Sequence, residues 1–388
     1  MPKTKSNEYP TLLICYEAGD GTMDMPYVLK KGGCHIDVYS KKESWLIKNK
    51  IYNNWIPAPP HEDEFIEKLI EIILKGSYKW IIPIDDESVR ILNKKISDRE
   101  LFQKIIPLCF FENKMFLGSK IELANVCKQN EIIIPNYIVL EKQLTPEIIN
   151  TKIGFPLLIK EDESGGGVGI KLCKNIEELK MCFLTLQDSK KHIIQEFIQG
   201  EEISCEALFK NGQLLVANTS KILDSIKTFG YSLKREYFRD EKLIVSIEII
   251  GKRLGLNGFC NITSIFDKKT KTHYLLEIDS RPNAWFRFGE FTGNDFSVGV
   301  KKYINDDLTL LIPENQPEKI IITLFKRDLA SVLNNKGFLK IIFWLINKDN
   351  CWKYIPFFDS KLLWANIWFL TIRYLRWALK KIGFSNKK

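Results

Sequence analysis

The stretch FPLLIKEDESGGGVGIKLC, residues 155–173, carries the strongest fold signal in this chain of 388 residues. Its apolar run, 157–159, predicts a buried strand that ends at Lys160, and an extended pattern restarts at Gly169. The glycines between the two strands can adopt positive φ and turn several backbone N–H groups toward one anion: Gly165, Gly166, Gly167 and Gly169. Because Lys160 adds a positive charge at the strand end, the stretch predicts a phosphate-binding hairpin.

The main alternative for this stretch is an ordinary hairpin tip, where glycine-rich turns are common. No Gly-Lys-Ser/Thr follows, so the stretch is not a P-loop. The glycine spacing also fails the dinucleotide-binding fingerprint, and a strand follows where that fingerprint requires a helix. If phosphate binds here, a third design is needed.

The positive charge of the chain is concentrated near its C-terminus. The formal net charge is +9, and residues 331–388 contain eleven Lys/Arg against two Asp/Glu. The preceding 330 residues are therefore neutral overall and show no nucleic-acid-binding motif. The nine cysteines have no CxxC or paired spacing, which is typical of reduced thiols in a cytoplasm.

The first 112 residues predict a small parallel α/β unit. Three apolar strands, 11–16, 35–39 and 80–84, alternate with helical segments, of which 65–74 has the clearest apolar face. The acidic triplet Asp85-Asp86-Glu87 follows the third strand, at the edge where open α/β sheets bind ligands. The triplet is equally typical of a solvated loop that caps the next helix.

A second acidic feature lies in the strand segment EIDSR. Glu277 and Asp279 alternate, so both project from the same face of the strand. Two carboxylates on one face repel each other unless a cation lies between them, and Mg²⁺ prefers such oxygen ligands. An edge strand with solvated acids is the alternative. Together with the phosphate hairpin, the acidic pair favours a nucleotide and a metal ion.

Four segments in this order resemble the ATP-grasp superfamily, which includes D-alanine:D-alanine ligase, biotin carboxylase and the carbamoyl-phosphate synthetase large chain. The segments are GSKIELANVCKQ (118–129), LLIKEDESGGGVG (157–169), EFIQGEE (196–202) and EIDSR (277–281). The resemblance covers about residues 113–305. It implies an α/β fold of the α+β ATP-grasp type, preceded by the small parallel domain.

The resemblance also implies the domain boundaries and the roles of single residues. The expected domains are 1–112, an ATP-grasp domain 113–305 with a glycine-rich lobe 113–192 and a metal-binding lobe 193–305, and a helical extension 306–388. The implied ATP-binding residues are Lys120, Lys160, Gly165, Gly166, Gly167, Gly169, Glu196, Phe197, Ile198 and Glu202. The implied catalytic residues are Lys221 and Arg281, and the implied metal ligands are Glu277 and Asp279.

Two positions depart from the family pattern. Asp279 stands where asparagine is usual, which keeps an oxygen ligand and adds negative charge. Thr263 stands where Glu, Gln or Asp is common, and a hydroxyl is a poorer metal ligand than a carboxylate. Asn261 or a water molecule is the expected substitute.

The resemblance implies an ADP-forming ligase that uses ATP and Mg²⁺ or Mn²⁺. Such an enzyme activates a small-molecule carboxylate as an acyl-phosphate and joins it to an amine, with no nucleic acid as partner. The alternative, prompted by Thr263, is an ATP-binding module that has lost turnover. Neither the two substrates nor the oligomeric state follows from the sequence.

The C-terminal extension predicts two aromatic helical segments, 337–346 and 361–382, with basic residues late in the second. Its longest uncharged run, 362–372, is eleven residues, and a bilayer span needs about 20. One interpretation is a helical appendage packed on the body. The other is peripheral contact with a membrane surface, at the inner face of the membrane of a cytoplasmic protein.

Overall fold

The computed structural model describes residues 8–187, 189–313, 319–324, 326–327, 346 and 354–381. Three sheets organise this part of the chain. The predicted helical segment 337–346 lies outside the described residues except for its last residue, Ile346. Among the described helices, none combines the length and apolar character needed to cross a bilayer.

The N-terminal domain contains a four-stranded parallel sheet in the order β3-β2-β1-β4. Its strands are Tyr9–Cys15 (β1), Cys34–Ser40 (β2), Asn54–Pro57 (β3) and Trp80–Pro83 (β4). Its helices are Met25–Lys31 (α1), Glu62–Lys75 (α2), Asp86–Lys95 (α3) and Arg99–Ile105 (α4). The sequence predicts β1, β2 and β4 from their apolar runs. It misses β3, whose side chains are mostly exposed.

The glycine-rich lobe has its own four-stranded sheet, in the order β5-β8-β6-β7. Its elements are Lys120–Gln129 (α5), Tyr137–Val139 (β5), Pro146–Lys152 (α6), Leu157–Glu161 (β6), Ile170–Cys173 (β7), Ile176–Phe183 (α7) and His192–Glu196 (β8). A separate apolar core, which includes Leu157, Leu179 and Ile194, holds this lobe together. Because β8 pairs with β5 and β6, the boundary of the lobe falls after Glu196 and not at 192 as the sequence predicts.

The large lobe is built on a six-stranded sheet in the order β13-β12-β9-β10-β11-β14. Its elements are Glu201–Lys210 (β9), Gln213–Ser225 (β10), Ser232–Tyr237 (β11), Glu241–Leu254 (α8), Gly258–Asp267 (β12), Thr272–Asp279 (β13), Gly289–Thr292 (α9), Phe296–Ile304 (α10) and Ile320–Thr323 (β14). The turn between β9 and β10 is formed by Asn211 and Gly212, with φ of 48° and 84°. β14 adds an edge strand to this sheet from a segment predicted to be helical.

The N-terminal domain and the large lobe share one apolar interface. The Trp80 ring of β4 is stacked on Tyr303, with centroids 4.0 Å apart, and on Phe259 of β12, at 5.5 Å. One hydrophobic cluster contains buried residues from both bodies, such as Leu13 and Val216. This apolar interface packs the large lobe against the N-terminal domain.

The C-terminal helix Ser360–Lys381 (α11) packs on the N-terminal domain. The Phe369 ring meets Trp45 edge-to-face, with centroids 5.6 Å apart, and Lys361 Nζ donates to the Ile47 carbonyl at 2.8 Å. Just before the helix, Asp359 Oδ2 accepts a hydrogen bond from the backbone N–H of Lys50 at 2.6 Å. This packing is the arrangement that the appendage interpretation predicts.

Candidate active site

Lys160 lies at the end of β6, where the glycine-rich loop begins. It is 8% exposed, and its Nζ donates to Gln195 Oε1 of β8 at 2.7 Å. Burial lowers the pKa of Lys160 to about 8, while the carboxylates of Glu277 and Glu202 oppose the shift. A lysine of the glycine-rich lobe therefore lies within electrostatic reach of acidic residues on the large lobe.

Lys120, in the first turn of α5, holds the start of the same loop. Its Nζ donates to the Asp162 carbonyl at 2.7 Å and also to the Ser164 carbonyl. The Asp162 carboxylate in turn accepts from the backbone N–H of Ile121 at 2.9 Å and from Ser119 Oγ at 3.0 Å. The helix start and the loop are thus fixed to each other, and Lys120 is oriented by loop carbonyls.

A cleft of about 300 Å³ opens between the two lobes, with both lysines in its wall. Its remaining lining is mostly apolar: Leu123, Ala124, Ile134, Ile193, Leu275 and Leu276, together with Gln195. An apolar lining with two lysines suits an aromatic base joined to phosphates.

The predicted adenine-binding residues follow Gln195 at the edge of this cleft. The N–H of Glu196 donates to the Asn136 carbonyl at 2.8 Å, and the N–H of Phe197 to the Pro156 carbonyl at 3.2 Å. These two donors are therefore used by neighbouring loops. The predicted contacts with ATP in this segment would therefore fall to carbonyl oxygens and to Ile198.

The glycine-rich loop packs closely against residues 229–231, between β10 and β11. Gly166 and Gly167 have φ of 59° and 72°. A Cβ at Gly167 would lie 2.1 Å from the Phe229 carbonyl oxygen, and one at Gly166 would lie 2.7 Å from the Tyr231 ring. Both positions therefore require glycine for conformation and for space. The phosphate-binding role predicted for this loop stays a prediction.

The register of the large sheet gathers polar side chains on one face. Asp279 of β13 is paired with Asn261 of β12, Asn261 with Glu206 of β9, and Glu206 with Asn218 of β10. In the next row, Glu277 is paired with Thr263. Directly paired residues of antiparallel strands project from the same face, so Glu277 and Asp279 share this acidic face, as predicted.

A β-bulge sets the direction of this acidic strand. Thr263 is paired with Glu277, but the next residue, Ser264, is paired with Leu275, so Leu276 is the extra residue. Leu275 is buried in the core, whereas Leu276 is half-buried and lines the cleft. The bulge thus places an apolar side chain beside the acidic pair.

Arg281 joins the acidic strand to the N-terminal domain. Its Nε and Nη2 donate to the two carboxylate oxygens of Asp86, at 2.5 and 2.7 Å, and Nη2 lies 3.4 Å from Asp279 Oδ2. Burial raises the pKa of Asp279 to about 7; the Arg281 guanidinium opposes this shift and the Glu277 carboxylate adds to it. A cation bound nearby would therefore stabilise the ionised form of this carboxyl group.

The structure does not bring Lys221 to this site. Lys221 is paired with Ile203 of β9 and Glu236 of β11, so it lies on the face opposite Glu202 and Asp279. Its Nζ forms an ion pair with Glu201 at 2.5 Å. This placement does not support the predicted catalytic role, since a motif position alone does not determine which face of a strand a side chain occupies.

Two charged residues that the sequence analysis did not assign take part in the site. Asp86 pairs with Arg281, whereas its neighbour Asp85 caps α3 by accepting from the Ser88 N–H at 2.7 Å. The helix-capping interpretation is confirmed for Asp85, whereas ligand binding at this edge stays a prediction. The position of Asp86 after a parallel strand was the available signal.

The second unassigned residue is Arg235, which lies in β11. Its Nη1 contacts Glu206 Oε1 at 2.5 Å and Ser204 Oγ at 3.0 Å, and its guanidinium lies 4.5 Å from the centre of the Trp285 ring. Glu206 Oε2 is buried without a hydrogen bond. No motif marks Arg235, because its role depends on strand pairing.

The carboxylates of Glu277 and Asp279 are the candidate ligands for a divalent metal ion. In the described part of the chain, no group of three or more His, Cys, Asp or Glu side chains is arranged to hold one. Mg²⁺ in nucleotide sites, however, is commonly held by one or two carboxylates together with substrate phosphates. Glu277 and Asp279, with Asn261 Nδ2 3.4 Å from Asp279 Oδ2, fit that smaller requirement.

Comparison with known proteins is consistent with this geometry. Residues 126–254 match the family model described as D-ala D-ala ligase C-terminus. A D-alanine–D-alanine ligase of Fervidobacterium nodosum is 25% identical over 252 residues, which cover 57% of this chain and 77% of that protein. A carbamoyl-phosphate synthase of Methanobrevibacter smithii is 26% identical over 178 residues, 43% of this chain and 46% of that protein.

Solved structures share the fold over most of the chain. An N5-carboxyaminoimidazole synthetase of Staphylococcus aureus, complexed with ADP, has a TM-score of 0.65 at 15% identity and covers 86% of this chain and 87% of that one. An L-amino acid ligase of Bacillus licheniformis has a TM-score of 0.59 at 15% identity. The match covers 80% of this chain and 78% of that one. At these identities the likeness shows a common fold.

Proposed function

We propose that this chain, which belongs to the ATP-grasp superfamily, is an ATP-dependent, ADP-forming ligase that joins a carboxylate to an amine. In this reaction the carboxylate attacks the γ-phosphate, ADP leaves, and an acyl-phosphate forms. The amine then attacks the acyl carbon, loses a proton and displaces phosphate, which leaves an amide. The ligases and synthases among the related proteins favour turnover over a module that only binds ATP.

One continuous set of contacts carries the proposal. A Cβ at Gly165 would lie 3.7 Å from Asp86 Oδ2, Asp86 Oδ2 accepts from Arg281 Nη2 at 2.7 Å, and Arg281 Nη2 lies 3.4 Å from Asp279 Oδ2. The glycine-rich loop, the N-terminal domain and the acidic strand thus meet at one point. That point is where the transferred phosphoryl group of a nucleotide in the cleft is expected to lie.

Each residue then has a role in positioning or in charge neutralisation. Lys160 binds phosphate oxygens from the floor of the cleft, and Lys120 holds the loop that closes over them. Glu202 binds the ribose. Arg281, released from Asp86 by the incoming phosphate, stabilises negative charge on the transferred group. Phosphoryl transfer requires little covalent chemistry from side chains, so this arrangement is sufficient.

Glu277 and Asp279 would hold Mg²⁺ or Mn²⁺, with Asn261 beside them. The bound ion would neutralise phosphate charge. Thr263 is adjacent to Glu277 on the same face, so a water molecule bound to its hydroxyl can complete a coordination sphere. Asp279 then takes the role of the asparagine that is usual in this superfamily.

The ligase proposal is tested by substrate-dependent ADP release. Purified full-length chain is incubated with Mg-ATP and mixtures of amino acids, other carboxylic acids and amines, and ADP is measured by an enzyme-coupled assay. ADP formation that requires both a carboxylate and an amine supports the proposal. Tight binding of an ATP analogue without ADP formation under any mixture supports the binding module instead.

We also propose the exposed face of α11 as a surface for peripheral membrane contact. Trp364 and Trp368, one turn apart, are each 68% exposed, and Leu375 continues their side of the helix. The later turns of the same helix carry Arg373 and Arg376, a basic cluster that favours anionic lipid. Co-sedimentation with phosphatidylglycerol vesicles tests this, and equal sedimentation of a W364S/W368S variant would argue against it.

A further inference from the structure

Two cysteine sulfurs meet inside the glycine-rich lobe. Cys173 is the last residue of β7 and Cys182 lies in the last turn of α7, and their Sγ atoms are 3.5 Å apart. The two residues are nine positions apart in the chain. The turn from strand to helix brings them together, so no sequence motif marks the pair. Neither residue lines the nucleotide cleft.

The two thiols differ in their exposure to solvent. Of the eight cysteines in the described part of the chain, seven are buried and Cys182 is half-buried. Its neighbours Met181 and Leu184 are 63% and 79% exposed, so this end of the helix faces solvent. Cys173 is fully buried in the small apolar core of the lobe. A small oxidant in solution therefore reaches Cys182 first, with Cys173 directly behind it.

The hydrogen bond between the thiols also favours a defined order of reaction. The Cys173 thiol donates its hydrogen to the Cys182 sulfur. Burial raises the pKa of Cys173 to about 12; the hydrogen bond to Cys182 and the Glu178 carboxylate add to this shift, and Lys171 opposes it. Cys173 therefore keeps its proton at neutral pH and does not react first, because the thiolate is the nucleophile. It is placed to attack Cys182 once that residue is oxidised.

We propose that Cys173 and Cys182 form a reversible intramolecular disulfide when the chain reacts with hydrogen peroxide. The Cys182 thiol loses its proton and attacks one peroxide oxygen, the O–O bond breaks, and a sulfenic acid and one water molecule result. The Cys173 sulfur then attacks the Cys182 sulfur and the S–O bond breaks. The Cys173 proton leaves with the hydroxide as a second water molecule. Two thiols and one peroxide thus give one disulfide and two water molecules.

Disulfide formation requires only a small local movement. A disulfide bond is about 2.05 Å long, so the two sulfurs must approach each other by roughly 1.5 Å. Cys173 is held in the sheet by its pairing with Leu157 of β6. Cys182 is the second-last residue of α7, and the chain beyond it, 184–187, is exposed or half-buried. The end of the helix can therefore move toward the strand while the sheet keeps its register.

The bond links two elements of a lobe that has only a small core of its own. Six buried residues form that core, Cys173 among them. A small core provides little stability, and a covalent link between β7 and α7 limits the freedom of the unfolded lobe. Leu157, the partner of Cys173, is the first residue of β6, at the end of the hairpin away from the glycine-rich loop. The disulfide thus stabilises the lobe and leaves the nucleotide cleft accessible.

The test follows oxidation of the full-length chain and does not depend on catalysis. The reduced chain is treated with a small excess of hydrogen peroxide, free thiols are blocked with iodoacetamide, and peptides are mapped by mass spectrometry without reduction. Thermal unfolding is measured before oxidation, after it, and after treatment with dithiothreitol. The variants are C182A and C173A, and C127A is the matched control, since Cys127 is fully buried in another core cluster. Because Cys182 is only half-buried, C182A is expected to keep the fold.

We expect a cross-link between the peptides that contain Cys173 and Cys182, an unfolding midpoint raised by at least about 2 °C, and reversal of both by dithiothreitol. C182A should show neither change, C173A should stop at a sulfenic acid that dimedone traps on Cys182, and C127A should behave like the original chain. The affinity for an ATP analogue should be the same in the reduced and oxidised forms. The proposal is overturned if another cysteine reacts first, if Cys182 is oxidised without forming the cross-link, or if oxidation lowers the midpoint or leaves it unchanged.

Discussion

Lys160 and Lys326 are two lysines with similar environments in different cavities. Each is 8% exposed, and burial lowers the pKa of each to about 8. Lys160 donates a hydrogen bond to Gln195, whereas Lys326 Nζ has no hydrogen bond and is surrounded by two aromatic rings. Lys160 belongs to a segment with a recognisable sequence pattern, whereas no sequence pattern marks Lys326.

The difference lies in how the surroundings of each lysine are built along the chain. The proposed nucleotide site uses loop backbone, a lysine and acidic residues at fixed chain positions, so it leaves a pattern in the sequence. The cavity beside Lys326 is assembled from the loop before α1, the segment after β14 and helix α11, which are far apart in the chain. The comparison therefore predicts that substitution of Lys160 affects nucleotide binding and that substitution of Lys326 does not.

The largest effect is expected at Arg281, which lies at the meeting point of the loop and the acidic strand. R281M removes the cation proposed to stabilise the transferred phosphoryl group, so kcat should fall roughly 10²- to 10³-fold. The Kd for an ATP analogue should change by only a few fold, because the loss concerns the transition state. R99M is the control. If the R281M variant has a kcat near that of the original chain, Arg281 has no role in catalysis.

The next effect distinguishes the two lysines directly. K160M should weaken binding of an ATP analogue by roughly 10- to 100-fold, because a charge-assisted contact to phosphate is lost. K326M should leave that affinity within twofold. Isothermal titration calorimetry measures both, and an equal loss of nucleotide affinity in the two variants would contradict the separation of the cavities.

A smaller effect is expected for the glycine-rich loop. G167A places a methyl group where it would lie 2.1 Å from the Phe229 carbonyl, at a φ of 72°, so the closed loop is disturbed. The KM for ATP should rise about tenfold. Gly154 provides the control, since its φ is 80° but no atom lies within 4 Å of an added Cβ. G154A should therefore lose some stability and keep its KM.

The pKa of Lys160 predicts proton uptake on nucleotide binding. At pH 8 about half of the Lys160 side chains are neutral, and nearby phosphate raises the pKa, so roughly half a proton is taken up per nucleotide. Asp279, with a pKa of about 7, releases a proton when a metal ion binds, but at pH 8 it is already mostly ionised. Titration calorimetry in buffers of different ionisation enthalpy measures the net uptake.

This proton balance also separates the two cavities. K160M should abolish the uptake, while K326M should retain it, although both lysines have a pKa of about 8. Uptake that persists in K160M and disappears in K326M would reverse the assignment of the nucleotide to the first cleft.

The smallest effect is expected at Lys221. K221M removes an ion pair with Glu201 on the face away from Asp279, so the free energy of unfolding should change by at most about 1 kcal/mol. The kcat should be unchanged. A loss of kcat comparable to that of R281M would show that the opposite face of the sheet takes part in catalysis.

These positions also show how far the sequence determines the site. The glycine-rich loop, Lys160 and the pair at 277 and 279 were predicted from local patterns, because each depends on neighbouring residues in the chain. The same holds for most strands and helices of the first 300 residues, whose apolar periodicity is strong.

The remaining parts depend on contacts between distant segments. Asp86 reaches Arg281 across 195 residues of sequence, and Arg235 reaches Glu206 through strand pairing. β14 lies in the extension that was expected to be helical, and it forms a strand by pairing with β11, which is distant in the chain. The face that Lys221 occupies was not predicted, because β-strand register is not visible in one segment.

The central claim is that Lys160 with the glycine-rich loop and the acidic strand with its metal ion bind one nucleotide from two sides. A crystal structure of the chain with a non-hydrolysable ATP analogue and Mg²⁺ tests it most directly. The account predicts the terminal phosphates within hydrogen-bonding distance of Lys160 Nζ and the loop N–H groups, and the metal ion about 2.0–2.1 Å from carboxylate oxygens of Glu277 and Asp279. An analogue bound elsewhere, or a metal ion away from both carboxylates, would contradict it.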